Sequence, residues 1–90
     1  MENGRVVELN LVERGLTGAV PAEIGRLSAL RELHLYGNQL TSVPAEIGQL
    51  TSLRKLWLYN NKLTSVPVAI RELEAAGCNV YLDAGVTIDE

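Results

Sequence analysis

The chemistry available to this chain is limited to one histidine and one cysteine among 90 residues. His34 lies two residues after Glu32, and Glu8 takes the corresponding place earlier in the chain. An imidazole beside carboxylates is the raw material of a metal site or of proton transfer. A lone histidine falls short of the ligand set of an ordinary zinc site, so a solvated surface histidine and no metal are expected. Cys78 has no second histidine to activate it, which leaves a small apolar filler as its expected role. There is no glycine-rich phosphate loop, no serine-centred elbow and no HExxH pair. No catalytic residue and no cofactor follow from the sequence, and a non-enzyme is expected.

Charge narrows the partners. Eight basic and eleven acidic residues give a net charge of −3, which is poor material for a phosphate-binding surface, so no nucleic acid is expected. No run approaches the roughly 18 apolar residues of a membrane span. Met1-Glu2-Asn3-Gly4 has neither the basic nor the apolar region of a signal peptide. A single cysteine suits a reducing interior, and the expected location is the cytoplasm.

The elements that hold these residues repeat. Leu30-Arg31-Glu32-Leu33-His34-Leu35-Tyr36-Gly37-Asn38-Gln39-Leu40 returns 23 residues later as Leu53-Arg54-Lys55-Leu56-Trp57-Leu58-Tyr59-Asn60-Asn61-Lys62-Leu63. Leu40-Thr41-Ser42-Val43-Pro44 returns verbatim as Leu63-Thr64-Ser65-Val66-Pro67. An earlier copy carries Leu9, Leu11, Leu16, Pro21, Ile24 and Leu27, with one extra residue between Leu16 and Pro21. A partial copy, Val80-Tyr81-Leu82, closes the chain. The copies run over about 6–29, 30–52, 53–76 and 77–90, within one domain spanning 1–90.

The pattern L-x-x-L-x-L-x-x-N-x-L resembles the leucine-rich repeat family. The middle copies match it throughout, while the first has Arg14 where Asn belongs and the last keeps only its strand. The wording of the first copy resembles the plant-type subclass, and the later ones resemble 23-residue arrays. The resemblance implies an α/β solenoid, a right-handed coil with a parallel sheet on its concave face. Short helices or 3₁₀ turns would line the convex face. It also implies a protein-binding role.

Each position has a physical reading. Leu33-His34-Leu35 and Leu56-Trp57-Leu58 alternate like strands with one buried face. Leu9, Leu33, Leu56 and Val80 would form one inward ladder, and Leu11, Leu35, Leu58 and Leu82 the next. Asn38 and Asn61 are expected to be amides that bond the turning backbone; Arg14 cannot do so, which predicts a looser first turn. Pro44 and Pro67 suit a first helical position. Gly25 and Gly48 should keep the return legs brief, so the last helix, without such a glycine until Gly77, should be the longest. Val86 and Ile88 alternate with polar residues, as in a short extra strand that covers the C-terminal edge. The first strand edge, Val6 to Val12, has little to cover it.

The outward positions form three columns: Glu8, Glu32, Lys55 and Asn79; Asn10, His34, Trp57 and Tyr81; Val12, Tyr36, Tyr59 and Asp83. Every aromatic of the chain falls in them. The expected protein-binding surface is Glu32, His34, Tyr36, Lys55, Trp57, Tyr59, Tyr81 and Asp83, since exposed Trp and Tyr on a rigid sheet dominate binding hot spots. Two alternatives stand beside it. Aromatics favour strands and stack across them without any ligand, and duplication copies them. Alternatively the chain is a self-associating structural unit, a homo-oligomer formed through its N-terminal edge or concave face.

Overall fold

The computed structural model describes residues 7–89. Val6 and the stretch Met1–Arg5, expected beside the first strand edge, lie outside the described residues. Along the chain come β1 (Glu8–Asn10), β2 (Thr17–Ala19), a 3₁₀ turn (Ala22–Arg26), β3 (Glu32–His34) and β4 (Gln39–Ser42). A second 3₁₀ turn (Ala45–Gln49), β5 (Lys55–Trp57), β6 (Ser65–Pro67), α1 (Ala69–Ala75), β7 (Asn79–Tyr81) and β8 (Thr87–Asp89) follow.

Four parallel strands make the main sheet, in the order β1-β3-β5-β7. The register is the one the spacing predicts. Leu9, Leu33, Leu56 and Val80 pair in one column, and Asn10, His34, Trp57 and Tyr81 in another. Alternation then sends the leucines inward and the polar and aromatic residues outward. Leu33, Leu56, Leu58, Leu30, Ile47 and Leu50 have no exposed surface. Leu9, Leu11, Val80 and Leu82, in the first and last strands of the sheet among the described residues, are only partly buried.

Two further strand pairs were not anticipated. β2 pairs with β4, and β6 with β8, both parallel. The expected extra strand at Val86–Ile88 is therefore present as β8, but its partner is the Ser65–Pro67 segment. The β2–β4 register shifts between Gly18 and Ala19, inside the segment that is one residue longer in the first copy. Gly18 has φ 75°, a conformation that glycine adopts without steric cost.

The return legs follow the expected gradation, two 3₁₀ turns and then a seven-residue α-helix. The prolines sit differently from the expectation. Pro21 and Pro44 precede their 3₁₀ turns in extended conformation, and Pro67 ends β6 two residues before α1. There they close a strand, and their carbonyls remain free to accept: Pro21 O from Ile24 N and Pro44 O from Ile47 N, both at 3.1 Å. Gly25 and Gly48 also have a packing role. A Cβ at Gly25 would lie 2.8 Å from the Glu46 carbonyl oxygen, and one at Gly48 would lie 3.0 Å from Ala69 Cβ. The legs stack this closely only because no side chain stands between them.

The asparagines fasten neighbouring repeats to one another. Asn38 Oδ1 accepts from the backbone N–H of Arg14 (3.0 Å) and Leu16 (3.1 Å). Its Nδ2 donates to the carbonyls of Leu11 (2.9 Å) and Leu35 (3.0 Å). Asn61 repeats the arrangement one step on. Its Oδ1 accepts from Leu40 N (3.1 Å) and its Nδ2 donates to Leu35 O (2.9 Å) and Leu58 O (3.0 Å). Each amide thus serves the preceding turn as well as its own. At the first turn Arg14 makes no such own-turn bond, as expected, but the turn is still held from the next repeat by Asn38. Its strain lies elsewhere, at Glu13, whose φ of 53° falls where Gly37 (76°) and Asn60 (57°) sit in the later turns.

Asn38→Ala should therefore destabilise the protein by about 3 kcal/mol, since it leaves buried donors and acceptors of two turns unpaired. Arg14→Ala at the matching position should change stability by less than about 0.5 kcal/mol. Urea denaturation of both variants measures the difference.

Candidate protein-binding surface

The outward columns of β1, β3, β5 and β7 bring the aromatic residues into two stacks. His34 and Trp57 lie face to face, with ring centroids 4.0 Å apart and planes at 19°. Trp57 and Tyr81 continue the stack at 5.5 Å and 12°. Tyr36 and Tyr59 form the other, at 4.8 Å and 6°. Adjacent parallel strands lie about 4.8 Å apart, so rings at one register position meet face to face with little adjustment. Lys55 Nζ stands 6.0 Å from the Trp57 ring centroid, at the limit of a cation–π contact. None of the aromatics belongs to the buried core, and Tyr81, at the end of its stack, is 41% exposed.

Stacking changes what the surface offers. Trp57, stacked between His34 and Tyr81, has both faces covered and presents its edge to solvent. Tyr81 ends its stack with one face uncovered by a further strand of the main sheet. Glu32 and His34 form a polar corner beside this stack. His34 Nε2 lies 3.2 Å from Glu32 Oε1 and 3.8 Å from Glu8 Oε1. Asp83 has a structural role besides its expected place on the binding flank. Its carboxylate accepts from Asn60 N (3.0 Å) and Asn61 N (3.4 Å), closing that turn where the next copy has Gly85 at the asparagine position. Sequence reasoning missed this role. The available signal was a short acceptor one strand beyond the Asn60-Asn61 turn.

Cys78 is buried in the apolar core, as expected of a filler. Burial pushes its thiol up, and Glu74 adds to the rise while Arg54 opposes it. At the other end of the solenoid the core opens into an apolar recess of about 250 Å³ bounded by Leu9, Leu11, Leu16, Val20, Ile24 and Leu40. No helix among the described residues is long and apolar enough to cross a membrane.

Residues 28–79 match the family described as Leucine Rich repeats, in two copies. The chain belongs to the leucine-rich repeat family. A receptor protein kinase of rice (Oryza sativa subsp. japonica), WSS1, is 50% identical over 38 residues, which is 42% of this chain and 4% of that protein. A solved leucine-rich repeat protein of Leptospira interrogans superposes with a TM-score of 0.74 at 41% identity. That match covers 89% of this chain and 20% of the other. This chain therefore spans a small part of either relative. Leucine-rich repeats commonly mediate protein–protein interaction and are generally not enzymes.

The raised Cys78 thiol gives a pH-dependent expectation. The folded chain holds this proton to higher pH than the unfolded chain does. Its contribution to stability is complete below the ordinary thiol range and is lost as pH rises through the raised value. Thiol labelling at pH 8 should accordingly be slow in the native protein and fast in denaturing urea, as read by mass spectrometry over time.

Proposed function

We propose that the chain is a non-catalytic protein-binding module whose concave sheet face engages a protein partner. Tyr36, Trp57, Tyr59 and Tyr81 form the contact, with Glu32, His34 and Lys55 beside them, and Asp83 bounds the patch while holding the last turn. The supporting observation is the pair of aromatic stacks. Their rings are already ordered against each other in the free protein, so binding loses little side-chain entropy at these positions. Aromatic residues held rigidly on a sheet are the side-chain types that anchor interfaces. A protein without an internal disulfide also suits a reducing compartment such as the cytoplasm.

A second reading rests on the recess at Leu9, Leu11 and Leu16 beside β1, which among the described residues is an edge strand of the main sheet. Open apolar surface next to unpaired strand edge favours self-association, which makes the chain a structural unit.

Panning a displayed peptide library against the whole protein tests the first reading. Selected peptides are titrated against the wild type, Trp57→Ala, Tyr59→Ala and the exposed convex variant Val68→Ala. We expect Trp57→Ala to weaken binding about 30-fold, the scale of a hot-spot residue of 2 kcal/mol, with Val68→Ala unchanged. Peptides that bind all three variants as tightly as the wild type would refute the concave assignment. Light scattering of the same sample decides the second reading: a monomer at all concentrations removes it.

A further inference from the structure

The outward corner of β1 and β3 carries a constellation of which the protein-binding reading uses Glu32 and His34 only as flanking residues and Glu8 not at all. Glu8 and Glu32 are register partners on adjacent strands, so their side chains leave the sheet side by side. His34 lies two residues after Glu32 on the same strand and emerges on the same face. Together they place one imidazole nitrogen and two carboxylate oxygens within 4.8 Å of one another.

From these residues we infer a divalent transition-metal site, with Zn²⁺ as its ion and His34 Nε2, Glu32 Oε1 and Glu8 Oε1 as its ligands. Ligands about 2.0–2.2 Å from a tetrahedral zinc stand roughly 3.3–3.6 Å apart. The His34–Glu32 pair, hydrogen-bonded at 3.2 Å, is slightly closer than that spacing, and Glu8, at 3.8 Å from the same nitrogen, is slightly wider. Each carboxylate needs only a small side-chain rotation once the imidazole nitrogen gives up its proton. Glu8 has the freedom to make it, with 57% of its side chain exposed. The imidazole is fixed: its side chain is 15% exposed and its ring packs on Trp57 at 4.0 Å, with Nε2 toward the carboxylates.

Electrostatics favour a cation here. Like charges at neighbouring positions of a sheet destabilise it. Among the described residues no lysine or arginine pairs with either carboxylate, and Lys55, the next residue in their column, leans over Trp57. The donor set selects among ions. Calcium and magnesium favour oxygen-only ligands, whereas a mixed imidazole and carboxylate set suits zinc and its neighbours. Three protein ligands leave a coordination position open toward the concave face, where water, or a carboxylate or imidazole from a bound protein, completes the shell. The sequence names the same three residues, and the pairing of β1 with β3 brings their donor atoms within 4.8 Å of one another.

The test uses the whole chain, freed of metal with EDTA and dialysed, and titrated with ZnCl₂ in a calorimeter. Trp57 is the single tryptophan and lies against His34, so Co²⁺ quenching of its fluorescence provides a second, local readout. We expect saturation at one Zn²⁺ per chain and competition between Zn²⁺ and Co²⁺ at the Trp57 signal. Glu8→Gln and Glu32→Gln should each weaken both by at least tenfold. The Glu8 side chain is 57% exposed, and an unchanged melting temperature without metal shows that Glu8→Gln remains folded; Glu32→Gln provides the second variant if it does not. Absence of saturable heat would overturn the inference. So would binding unchanged in both carboxylate variants, which would place the ion elsewhere. No partner protein is needed, so failure here leaves the concave-face reading standing.

Discussion

Everything in this fold depends on adjacent repeats staying in register, and the Asn38 and Asn61 amides hold that register where the backbone turns. A strand that ends in a tight turn leaves carbonyls and N–H groups that no sheet ladder satisfies. The asparagine side chain supplies both a donor and an acceptor at one point, and it reaches across to the turn before it. Stacked leucines alone would bury apolar area in many registers. The amides favour one, because a slip leaves them unpaired in an apolar core. At the C-terminal end Asp83 provides acceptors for the same turn by another route.

Inward and outward faces then follow from a single constraint. Once Leu33 and Leu56 are fixed against each other, His34 and Trp57 have no choice but to meet on the other face. The same holds for Leu35 with Leu58 and Tyr36 with Tyr59. Concave face and core are two sides of one alternation, so an outward ring is positioned by a leucine on the opposite face.

Much of this was legible in the chain. A fixed 23-residue spacing identifies register partners without any structure, and it located the sheet columns, the aromatic pairs and the longer final helix. Other features were hidden for physical reasons. β2, β4 and β6 are three or four residues long and pair on one side only, so the Thr- and Ser-rich wording gives no periodic signal. The asparagine pattern reveals a turn but not which turn its amide serves, which is why Arg14 looked like a defect. Gly25 and Gly48 read as helix breakers, while the closeness of the neighbouring leg is a fact of three dimensions. The column of Glu8 and Glu32 was legible from the spacing, but not how near their carboxylates come to the His34 nitrogen.

The central claim is that the concave surface is built before any partner arrives. Proton NMR of the free protein tests it most directly, through cross-relaxation between ring protons. The account predicts cross-peaks between His34 and Trp57, between Trp57 and Tyr81, and between Tyr36 and Tyr59, with ring-current shifts to match. Rings that give sharp, unshifted signals and no contacts between them would contradict it. They would mean that the inward ladder does not fix the outward face.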